Sequence, residues 1–226
     1  DTILYTIPDD DVRELYLKHR GESLIKKNRP LDVDNMKEER NRIADLLREH
    51  GYYYFNKQYV NYVIDTALIH NQVKLNLQIQ NPRGREEGHV QYRIDSVLIY
   101  PNYDPNMSLK KGMTYMKKFD TIPNPGNEKL LFMQSGHYRI KQSAIMRENY
   151  IFPDSMYARS VTDRTYRHLL GLGAFKFVNI DYQKSSRGKN SEGHHYLNCY
   201  IQLTPMVKQS YSLNIEGTNT SGNFGI

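Results

Sequence analysis

Apolar and polar residues alternate along two segments, one in each half of the chain. Residues 73–79 place Val, Leu, Leu and Ile at every second position, and residues 197–203 do the same with Leu, Cys, Ile and Leu. A period of two is typical of a β-strand that buries one face and exposes the other. A second strand is predicted ahead of each, over residues 59–66 and 177–182, where β-branched and aromatic residues are concentrated.

A helix is predicted before each pair of strands. In the first half, apolar residues at helical spacing lie between the capping candidate Asp32 and the glycine Gly51. In the second half, a similar stripe follows the capping candidate Ser160 and ends at Gly173. The apolar positions of the two stripes are Met36, Ile43, Leu46 and Leu47, and Val161, Thr165, Leu169 and Leu172.

The two halves share one order of elements. Short strands are predicted at residues 2–7 and 92–100, ahead of helices that begin after Asp9 in the first half and near Ala144 in the second. Each half therefore reads strand, helix, helix, strand, strand, and a repeated order is stronger evidence of architecture than either copy alone. Extra residues in the second half flank the turn-rich stretch 123–127 and predict an inserted β-hairpin.

This order predicts an α+β fold class with two β-α-α-β-β domains in tandem. The expected divisions are a first domain over 1–82, a polar linker over 83–88, and a last domain over 89–207 with its hairpin near 101–137. The remaining segment, 208–226, alternates apolar and polar residues again and is expected to begin a further strand. Since the chain opens and closes on strand-like segments, we expect it to be a piece of a longer protein.

Composition narrows the class of protein further. The chain has 226 residues, a formal net charge of +6, nineteen tyrosines and a single cysteine, Cys199. One cysteine cannot form a disulfide within the chain, so the fold must be held by packing. The sequence has no apolar run of about eighteen residues and therefore predicts no transmembrane helix. We also recognise no basic n-region followed by an apolar h-region, so no signal peptide is predicted.

No pattern in the sequence predicts catalysis or a bound cofactor. The metal-binding spacings of Cys and His are absent, and the adjacent His194 and His195 would point to opposite sides of a strand. Cys199 lies among alternating apolar residues and is expected in the core. The acidic run that begins at Asp9 is more simply explained as the start of a helix than as a cation site. We therefore expect no catalytic residue, no metal and no cofactor.

The positive charge raises the question of nucleic acid binding. Lysine pairs occur at 26–27, 110–111 and 117–118, each close to turn residues or acidic residues. A nucleic-acid-binding protein concentrates Lys and Arg on one face, whereas short pairs favour an ordinary solvated surface. A distant alternative is an RNA-binding sheet, which requires aromatic residues on its outward face. The outward residues of the strand over 73–79 are Lys74, Asn76 and Gln78, so we expect no nucleic acid partner.

Two stretches carry a resemblance to a known family. Glu39-Arg40-Asn41-Arg42-Ile43 leads into Gly51-Tyr52-Tyr53, and Arg164-Thr165-Tyr166 leads into Leu172-Gly173-Ala174-Phe175. With the tandem order of elements, they make the chain similar to POTRA domains, the polypeptide-transport-associated repeats of BamA- and TamA-type outer-membrane assembly factors in the bacterial surface antigen family. The residues of these motifs most resemble the POTRA sequences found in Bacteroidetes-like outer membranes. Residues 203–222 resemble the passage from the last POTRA domain into the first strand of the family's β-barrel.

The resemblance implies a non-enzymatic region in the periplasm, followed by a barrel in the outer membrane. It implies that unfolded outer-membrane β-barrel precursors bind by β-augmentation, and that periplasmic lipoprotein subunits are possible further partners. The resemblance implies that the accepting strand is the fourth element of each domain, the second of its three strands, and an edge strand offers free N–H and C=O groups. Its residues are Tyr59, Val60, Asn61, Tyr62, Val63 and Ile64 in the first domain and Phe177, Val178, Asn179, Ile180, Asp181 and Tyr182 in the second. A TamA-like or two-partner-secretion translocator for a dedicated client is an alternative within the same resemblance.

Two further expectations concern the linker and the edges. Residues 81–89 contain Gly84 and Gly88 and are expected to be the point of articulation between the domains. Proline at Val63 or Asn179 is expected to block strand addition at the two edges while leaving the fold largely intact.

Overall fold

The structure is a computed structural model that describes most of the chain. The described residues are 2–65, 73–84, 87–109, 120–124, 127–134, 140–206, 218–220 and 223–225. They form a first unit up to residue 84 and a second unit over residues 87–206. Each unit combines helices with one sheet of mixed direction, so the predicted α+β class is confirmed.

The first unit has the order strand, helix, helix, strand, strand. Its elements are β1 (Thr2–Thr6), α1 (Asp10–Lys18), α2 (Val33–Glu49), β2 (Val60–Asp65) and β3 (Lys74–Ile79), with single 3₁₀ turns at Arg20–Glu22 and Lys57–Tyr59. β3 lies in the centre of the sheet, parallel to β1 and antiparallel to β2. Both β1 and β2 are therefore edge strands of this sheet.

Short polar side chains and a glycine fix the limits of the helices. Asp9 Oδ1 accepts a hydrogen bond from the Val12 N–H at 3.1 Å, and Asp32 Oδ1 accepts one from the Asp34 N–H at 2.9 Å. Each bond satisfies an amide that has no partner within its own helix. After α2, Gly51 adopts a φ of +95°, the left-handed conformation that turns the chain away from the helix.

The two helices cover the same face of the sheet. Val12 and Tyr16 of α1 and Ile43 and Leu47 of α2 are buried together against Leu77 of the central strand. Along β3 the buried residues lie at every second position, as the alternation predicts. The opposite face of the sheet has no helix layer among the described residues, so its edges remain accessible from that side.

A buried ion pair lies beneath the loop between the two helices. The Glu39 carboxylate is completely buried, and the Arg42 guanidinium donates to it from Nε at 2.9 Å and from Nη2 at 2.8 Å. The Leu24 N–H donates a further hydrogen bond to Glu39 Oε2 at 2.9 Å. The hydrogen bond with Glu39 raises the pKa of Arg42. A buried carboxylate is tolerated when its oxygens are satisfied in this way, so the pair fastens the loop at Leu24 to α2.

The second unit repeats this order and adds an insertion. Its elements are β4 (Tyr92–Tyr100), β5 (Asp120–Asn124), β6 (Asn127–Gln134), α3 (Gln142–Arg147), α4 (Arg159–Gly171), β7 (Phe175–Lys184) and β8 (His195–Pro205), with helical residues at 105–109. The strand order of the sheet is β5-β6-β4-β8-β7. β8 is parallel to β4 and antiparallel to β7, so these three strands match β1-β3-β2 in order and direction.

The insertion forms the hairpin β5–β6 and joins the main sheet. β6 pairs in parallel with β4 over residues 97–99, on the side away from β8. The side chains of Leu130 and Phe132 on β6 are completely buried in the core of the second unit. Residues 110–119 and 135–139, which the hairpin prediction also covers, lie outside the described residues.

The expected helix cap at Ser160 is wrong. α4 begins after Ala158, whose side chain makes no capping hydrogen bond, and Ser160 lies inside the helix. The Ser160 N–H and hydroxyl both donate to the Glu49 carboxylate of the first unit. The serine therefore joins the two units instead of capping its own helix.

The last residues are described in two short pieces. β9 (Thr218–Thr220) and β10 (Asn223–Gly225) pair antiparallel with each other as a small sheet. Residues 207–217, which carry most of the predicted alternation, lie outside the described residues. The assignment of 208–226 to the start of a barrel strand stays a prediction.

Neighbouring leucines on α4 offer a matched test of the helix face. Leu169 is completely buried, whereas Leu170 is 41% exposed. Leu169→Ala is expected to lower the free energy of unfolding by about 2–5 kcal/mol because a cavity remains, and Leu170→Ala by less than about 1 kcal/mol. Leu47→Ala should resemble Leu169→Ala, since Leu47 is also completely buried. Urea denaturation followed by circular dichroism measures these values, and equal effects of Leu169→Ala and Leu170→Ala would contradict the assigned helix face.

Candidate functional site

The two segments predicted to bind polypeptide lie at the ends of their sheets. β2 is the last strand in the order β1-β3-β2, and β7 is the last strand in the order β5-β6-β4-β8-β7. Residues 60–64 belong to β2, Tyr59 ends the 3₁₀ turn just before it, and residues 177–182 all belong to β7. Within the described part of the chain, each of these strands has a neighbouring strand on one side only.

The register of β2 shows which of its backbone groups face outward. Antiparallel residue pairs alternate between hydrogen-bonded and non-hydrogen-bonded pairs. The Gln80 N–H donates to the Tyr59 carbonyl at 2.9 Å, so Val63, which is paired with Asn76 in the same register, also bonds inward. The N–H and C=O groups of Tyr62 and Ile64 therefore face the open edge, together with the Val60 carbonyl, whereas the Val60 N–H donates to the Lys57 carbonyl.

The same alternation applies to β7. The Ser185 N–H donates to the Tyr196 carbonyl at 2.9 Å, so Asn179, which is paired with Gln202, bonds inward to β8. The side chains of this pair also meet, since Asn179 Nδ2 donates to Gln202 Oε1 at 2.9 Å. The residues of the predicted segment whose backbone groups face the open edge are Val178, Ile180 and Tyr182.

The register shows that Val63 and Asn179 are the wrong positions for a proline meant to block strand addition. At Val63 or Asn179, proline would remove an N–H that belongs to the sheet itself, and the sheet would be damaged along with the edge. At Ile64 or Ile180, proline would remove an outward N–H and leave the inward bonds in place. This difference cannot be read from the hydrophobic pattern, because it depends on the pairing partner.

Apolar side chains accompany both open edges. Val63 is 52% exposed and Ile64 is 40% exposed on β2, and Phe177 is 54% exposed on β7. The Lys176 ammonium lies 5.3 Å from the centre of the Phe177 ring. Exposed apolar groups next to backbone groups that lack a strand partner favour contact with another extended chain.

The two tyrosines of the predicted β2 segment are already packed within the first unit. The Tyr62 hydroxyl donates to the Met36 carbonyl at 3.1 Å, and burial raises the pKa of this phenol well above its ordinary value. The Tyr59 ring packs against Phe55 and His89. Tyr62 therefore offers the edge its backbone, while its side chain stays in the helix layer.

The aromatic run that follows Gly51 is shared between the units. Tyr52 and Phe55 are buried in the core of the first unit, whereas Tyr53 packs against the core of the second. Tyr54 remains 43% exposed. The run therefore holds the two units together, a role that its sequence alone does not reveal.

Three rings meet where the units join, and we call Tyr53, Tyr157 and Tyr182 the tyrosine junction. The Tyr53 ring centre lies 4.9 Å from that of Tyr157 and 5.3 Å from that of Tyr182, and the latter two are 5.3 Å apart. Such inclined ring pairs contribute about 0.5–1.5 kcal/mol each beyond the burial of their area. The Tyr182 hydroxyl lies 2.7 Å from Thr162 Oγ1, and burial raises the pKa of Tyr157 to about 12.

Two clefts flank the aromatic run. The first has a volume of about 630 Å³, lies beside the start of β2, and is lined by Tyr52, Tyr54, Phe55, Tyr59 and His89 among others. The second has a volume of about 510 Å³, and its lining includes Tyr54, Arg48, Arg159, Ile180 and the tyrosine junction. Because Tyr54 lines both clefts, one aromatic surface extends from the start of β2 to β7.

Two hydrogen bonds join the start of the second unit to the first unit. The Tyr92 N–H donates to the Gly51 carbonyl at 2.9 Å. The His89 N–H donates to Asp9 Oδ2 at 2.8 Å. Articulation at residues 81–89 stays a prediction. A change in the angle between the units would have to break these hydrogen bonds or leave them intact by bending elsewhere.

Two carboxylates of α2 reach the start of α4. The Asp45 carboxylate forms an ion pair with the Arg159 guanidinium. The Glu49 carboxylate accepts the Ser160 N–H at 2.9 Å and also the Ser160 hydroxyl. A carboxylate at a helix start is favoured by the helix dipole, so these contacts orient α4 against α2.

His194, His195 and Cys199 all have neighbours within the second unit. In the ranges that the structure describes, no group of three or more His, Cys, Asp or Glu side chains is placed to hold a metal ion. Cys199 is completely buried, and burial raises the pKa of its thiol. His194 Nε2 lies 3.1 Å from Gln91 Oε1, whereas His195 Nε2 lies 3.4 Å from Glu87 Oε2. None of the helices in these ranges has the length and apolar character needed to cross a membrane.

Comparison with known proteins identifies the fold. No protein-family model and no curated protein matches the chain. BamA from Haemophilus ducreyi lacking POTRA domains 1–3 is similar with a TM-score of 0.51 at 11% identity, over 91% of this chain and 29% of that one. POTRA domains 1–2 of Omp85 from Anabaena give a TM-score of 0.39 at 10% identity, over 92% of this chain and 96% of that one. POTRA domains 3–5 of BamA from Haemophilus influenzae give 0.31 at 9% identity, over 90% of this chain and 95% of that one.

The similarity to the Haemophilus ducreyi protein shows that this chain has the POTRA fold. The predicted resemblance to POTRA domains is thus confirmed at the level of fold. An identity of 11% supports the fold alone, and the chain spans 29% of the length of that BamA structure.

Gly51 and Gly173 offer a matched test of the contact between the units. A Cβ at Gly51 would lie 2.7 Å from Met156 Sδ of the second unit, whereas a Cβ at Gly173 would meet no neighbouring atom of the described residues within 4 Å. Both glycines have positive φ, so alanine costs about 1–2 kcal/mol at either position. Gly51→Ala is expected to destabilise more than Gly173→Ala and to shift the NMR signal of the Met156 methyl group.

Urea denaturation gives the two changes in unfolding free energy, and the second substitution Met156→Ala serves as the control. It should relieve the extra cost of Gly51→Ala and leave the cost of Gly173→Ala unchanged. An equal cost for the two alanines, with the Met156 signal unmoved, would show that the units do not meet at Gly51.

Proposed function

We propose that this chain is the periplasmic part of a BamA-type outer-membrane assembly factor, and that its two units bind unfolded β-barrel precursors by strand addition. The observation that supports this most directly is the pair of open strands, β2 and β7, each with outward backbone groups and exposed apolar side chains. The strands of a membrane barrel carry an apolar residue at every second position. Such a strand can pair with the outward backbone groups of an edge and at the same time contact its exposed apolar side chains.

Backbone pairing explains how one surface would serve many precursors. On β2 the outward groups are the Val60 C=O and the N–H and C=O groups of Tyr62 and Ile64. On β7 they are the N–H and C=O groups of Val178, Ile180 and Tyr182. Every extended chain offers the same complementary groups, so recognition depends on strand-forming ability rather than on one sequence. The exposed Val63 and Phe177 add apolar contact on the free face of each sheet.

The short edges favour reversible binding. Each hydrogen bond contributes a net of about 0.5–1.5 kcal/mol, while ordering the backbone of the bound chain costs about 1–2 kcal/mol per residue. A segment of a few residues is therefore held weakly at one edge, and two edges on one molecule raise the overall affinity by avidity. Weak binding at each edge suits a protein that must release its client to a barrel.

The aromatic surface between the edges supports passage from one unit to the other. Tyr54 lines the cleft beside the start of β2 and also the cleft beside β7. In this proposal, a precursor held at β2 contacts this surface before it reaches β7 and then a barrel in the outer membrane. Lipoprotein subunits would be further partners, and neither a cofactor nor catalysis is required.

Proline at an outward-facing residue tests both edges. Ile64→Pro and Ile180→Pro each remove one outward N–H, and each is expected to weaken binding of a strand peptide from an outer-membrane barrel protein by about tenfold at its own edge. The double variant should bind the peptide about tenfold more weakly at both edges. Fluorescence anisotropy gives the affinities, and amide NMR shifts show which strand the peptide contacts.

Ile64→Val and Ile180→Val are the matched controls, because valine keeps the N–H and the apolar side chain. These variants should bind the peptide like the parent chain, and circular dichroism should show that all four single variants remain folded. Undiminished peptide binding by a folded double-proline variant would refute binding at β2 and β7.

A further inference from the structure

The outer edge of β1 is open, whereas the matching edge of the second unit is covered. β1 and β4 hold the same place in their sheets, since each is parallel to the central strand of its unit. β6 pairs with the outer edge of β4. Among the described residues no strand pairs with the outer edge of β1. The second unit therefore contains an example of what this edge accepts.

The covered edge shows the geometry of the pairing. β6 runs parallel to β4 and matches three of its residues, with Val97 opposite Leu130 and Ile99 opposite Phe132. Leu130 and Phe132 are both completely buried in the core. A strand at this position therefore uses a short backbone pairing and contributes two apolar side chains at alternate positions.

β1 offers a stretch of the same length. The Thr2 N–H donates to the Val73 carbonyl at 3.4 Å, on the side of β3. Because the backbone groups of successive strand residues point to opposite sides, the N–H and C=O groups of Ile3 and Tyr5 point away from β3. Residues 3–5 thus present an open edge of three residues, as many as β6 covers on β4.

A groove with a basic rim adjoins the amino end of β1. The groove has a volume of about 480 Å³, and its apolar lining includes Ile3, Ile25, Leu31 and Leu75. Lys26, Lys27 and Arg29 line the same groove and are exposed. None of these three cations forms an ion pair with another described residue. The groove therefore combines an apolar floor with positive charge that has no anionic partner among the described residues.

The basic rim is held in place by the first unit itself. The Leu24 N–H is hydrogen-bonded to the buried Glu39 carboxylate, and the Ser23 hydroxyl accepts the Ile25 N–H at 3.2 Å. Both bonds lie just before the basic residues in the chain. A bound chain would therefore spend little free energy on ordering this part of the loop.

We propose that the β1 edge and this basic groove form a docking site for a partner protein. The site would bind an extended segment in parallel orientation, with apolar residues at alternate positions and acidic residues at its amino-terminal end. The parallel direction follows from β6 on β4, and it places the amino end of the bound segment beside Lys26, Lys27 and Arg29. The site uses an edge other than β2 and β7, so it does not depend on the function proposed above.

Charge favours an acidic partner over a second copy of this chain. The chain carries a net charge of +6, so a second copy would approach the basic rim against electrostatic repulsion. Barrel precursors share alternating strands but have no reason to share acidic residues at one end of a strand. Complementary charge at one end therefore distinguishes a dedicated partner from a client.

Two peptides of identical composition test this site. Both contain Thr-Leu-Thr-Phe-Thr between blocked ends, and two glutamates precede this stretch in the first peptide and follow it in the second. At low ionic strength, the first peptide is expected to bind the chain about fivefold more tightly than the second. NMR titration gives both affinities, and the amide signals of Ile3 and Tyr5 should shift on binding.

Substitutions in the chain distinguish the contribution of the basic residues to peptide binding from that of the β1 edge. The triple variant Lys26→Gln, Lys27→Gln, Arg29→Gln should bind the two peptides equally. Ile3→Pro, which removes an outward N–H, should lose both peptides, while Ile3→Val should retain them. The double variant Ile64→Pro, Ile180→Pro should retain both peptides with the same preference, so failure of the β2 and β7 proposal would leave this result intact.

Four outcomes would overturn the proposal. They are equal affinity of the parent chain for the two peptides, a reversed preference, amide shifts confined to β2 or β7, and unchanged binding by a folded Ile3→Pro variant. Self-association of the chain that is lost in Ile3→Pro would assign the edge to a second copy and would likewise overturn it.

Discussion

An open β-sheet always has two edge strands, each with a neighbouring strand on one side only. This constraint determines which parts of the molecule can pair with another chain. The outward-facing N–H and C=O groups of an edge strand must bond to water, to nearby groups of the same chain or to another chain. The first unit leaves both β1 and β2 in this condition within the described residues. The second unit uses the hairpin β5–β6 to cover β4, so its edge strands among the described residues are β5 and β7. The two units therefore differ at one position: the outer edge of β1 is available for pairing, whereas the corresponding edge of β4 is covered by β6.

The rest of the structure keeps these edges exposed and in fixed positions. The helices of the first unit cover one face of its sheet, and the tyrosine junction with its neighbouring hydrogen bonds joins one unit to the other. The buried pair of Glu39 and Arg42 fastens the loop between the helices without using a strand. Stability thus comes from packing and a few local bonds, and the strand edges need not be closed to obtain it.

Much of this architecture is predictable from local pattern. The alternation over residues 73–79 predicts β3, and the capping position of Asp9 and the glycine at 51 mark helix limits that the structure places there. The short motifs that lead into Gly51 and Gly173, together with the order of elements, give the resemblance to POTRA domains that the fold confirms. These features depend on neighbours in the chain, which a sequence displays directly.

Features that depend on distant partners are not predictable in this way. The pairing of Val63 with β3 decides that its backbone groups bond inward. Ser160 joins the two units because Glu49 lies within hydrogen-bonding distance of it. The direction of β6 depends on its pairing with β4. The close approach of Met156 to Gly51 has one more consequence, because Gly173 holds the same position at the end of α4 and has no neighbouring atom of the described residues within 4 Å of the point where a Cβ would lie. A glycine that ends a helix thus becomes a contact between modules only where a neighbouring side chain, here Met156, reaches it.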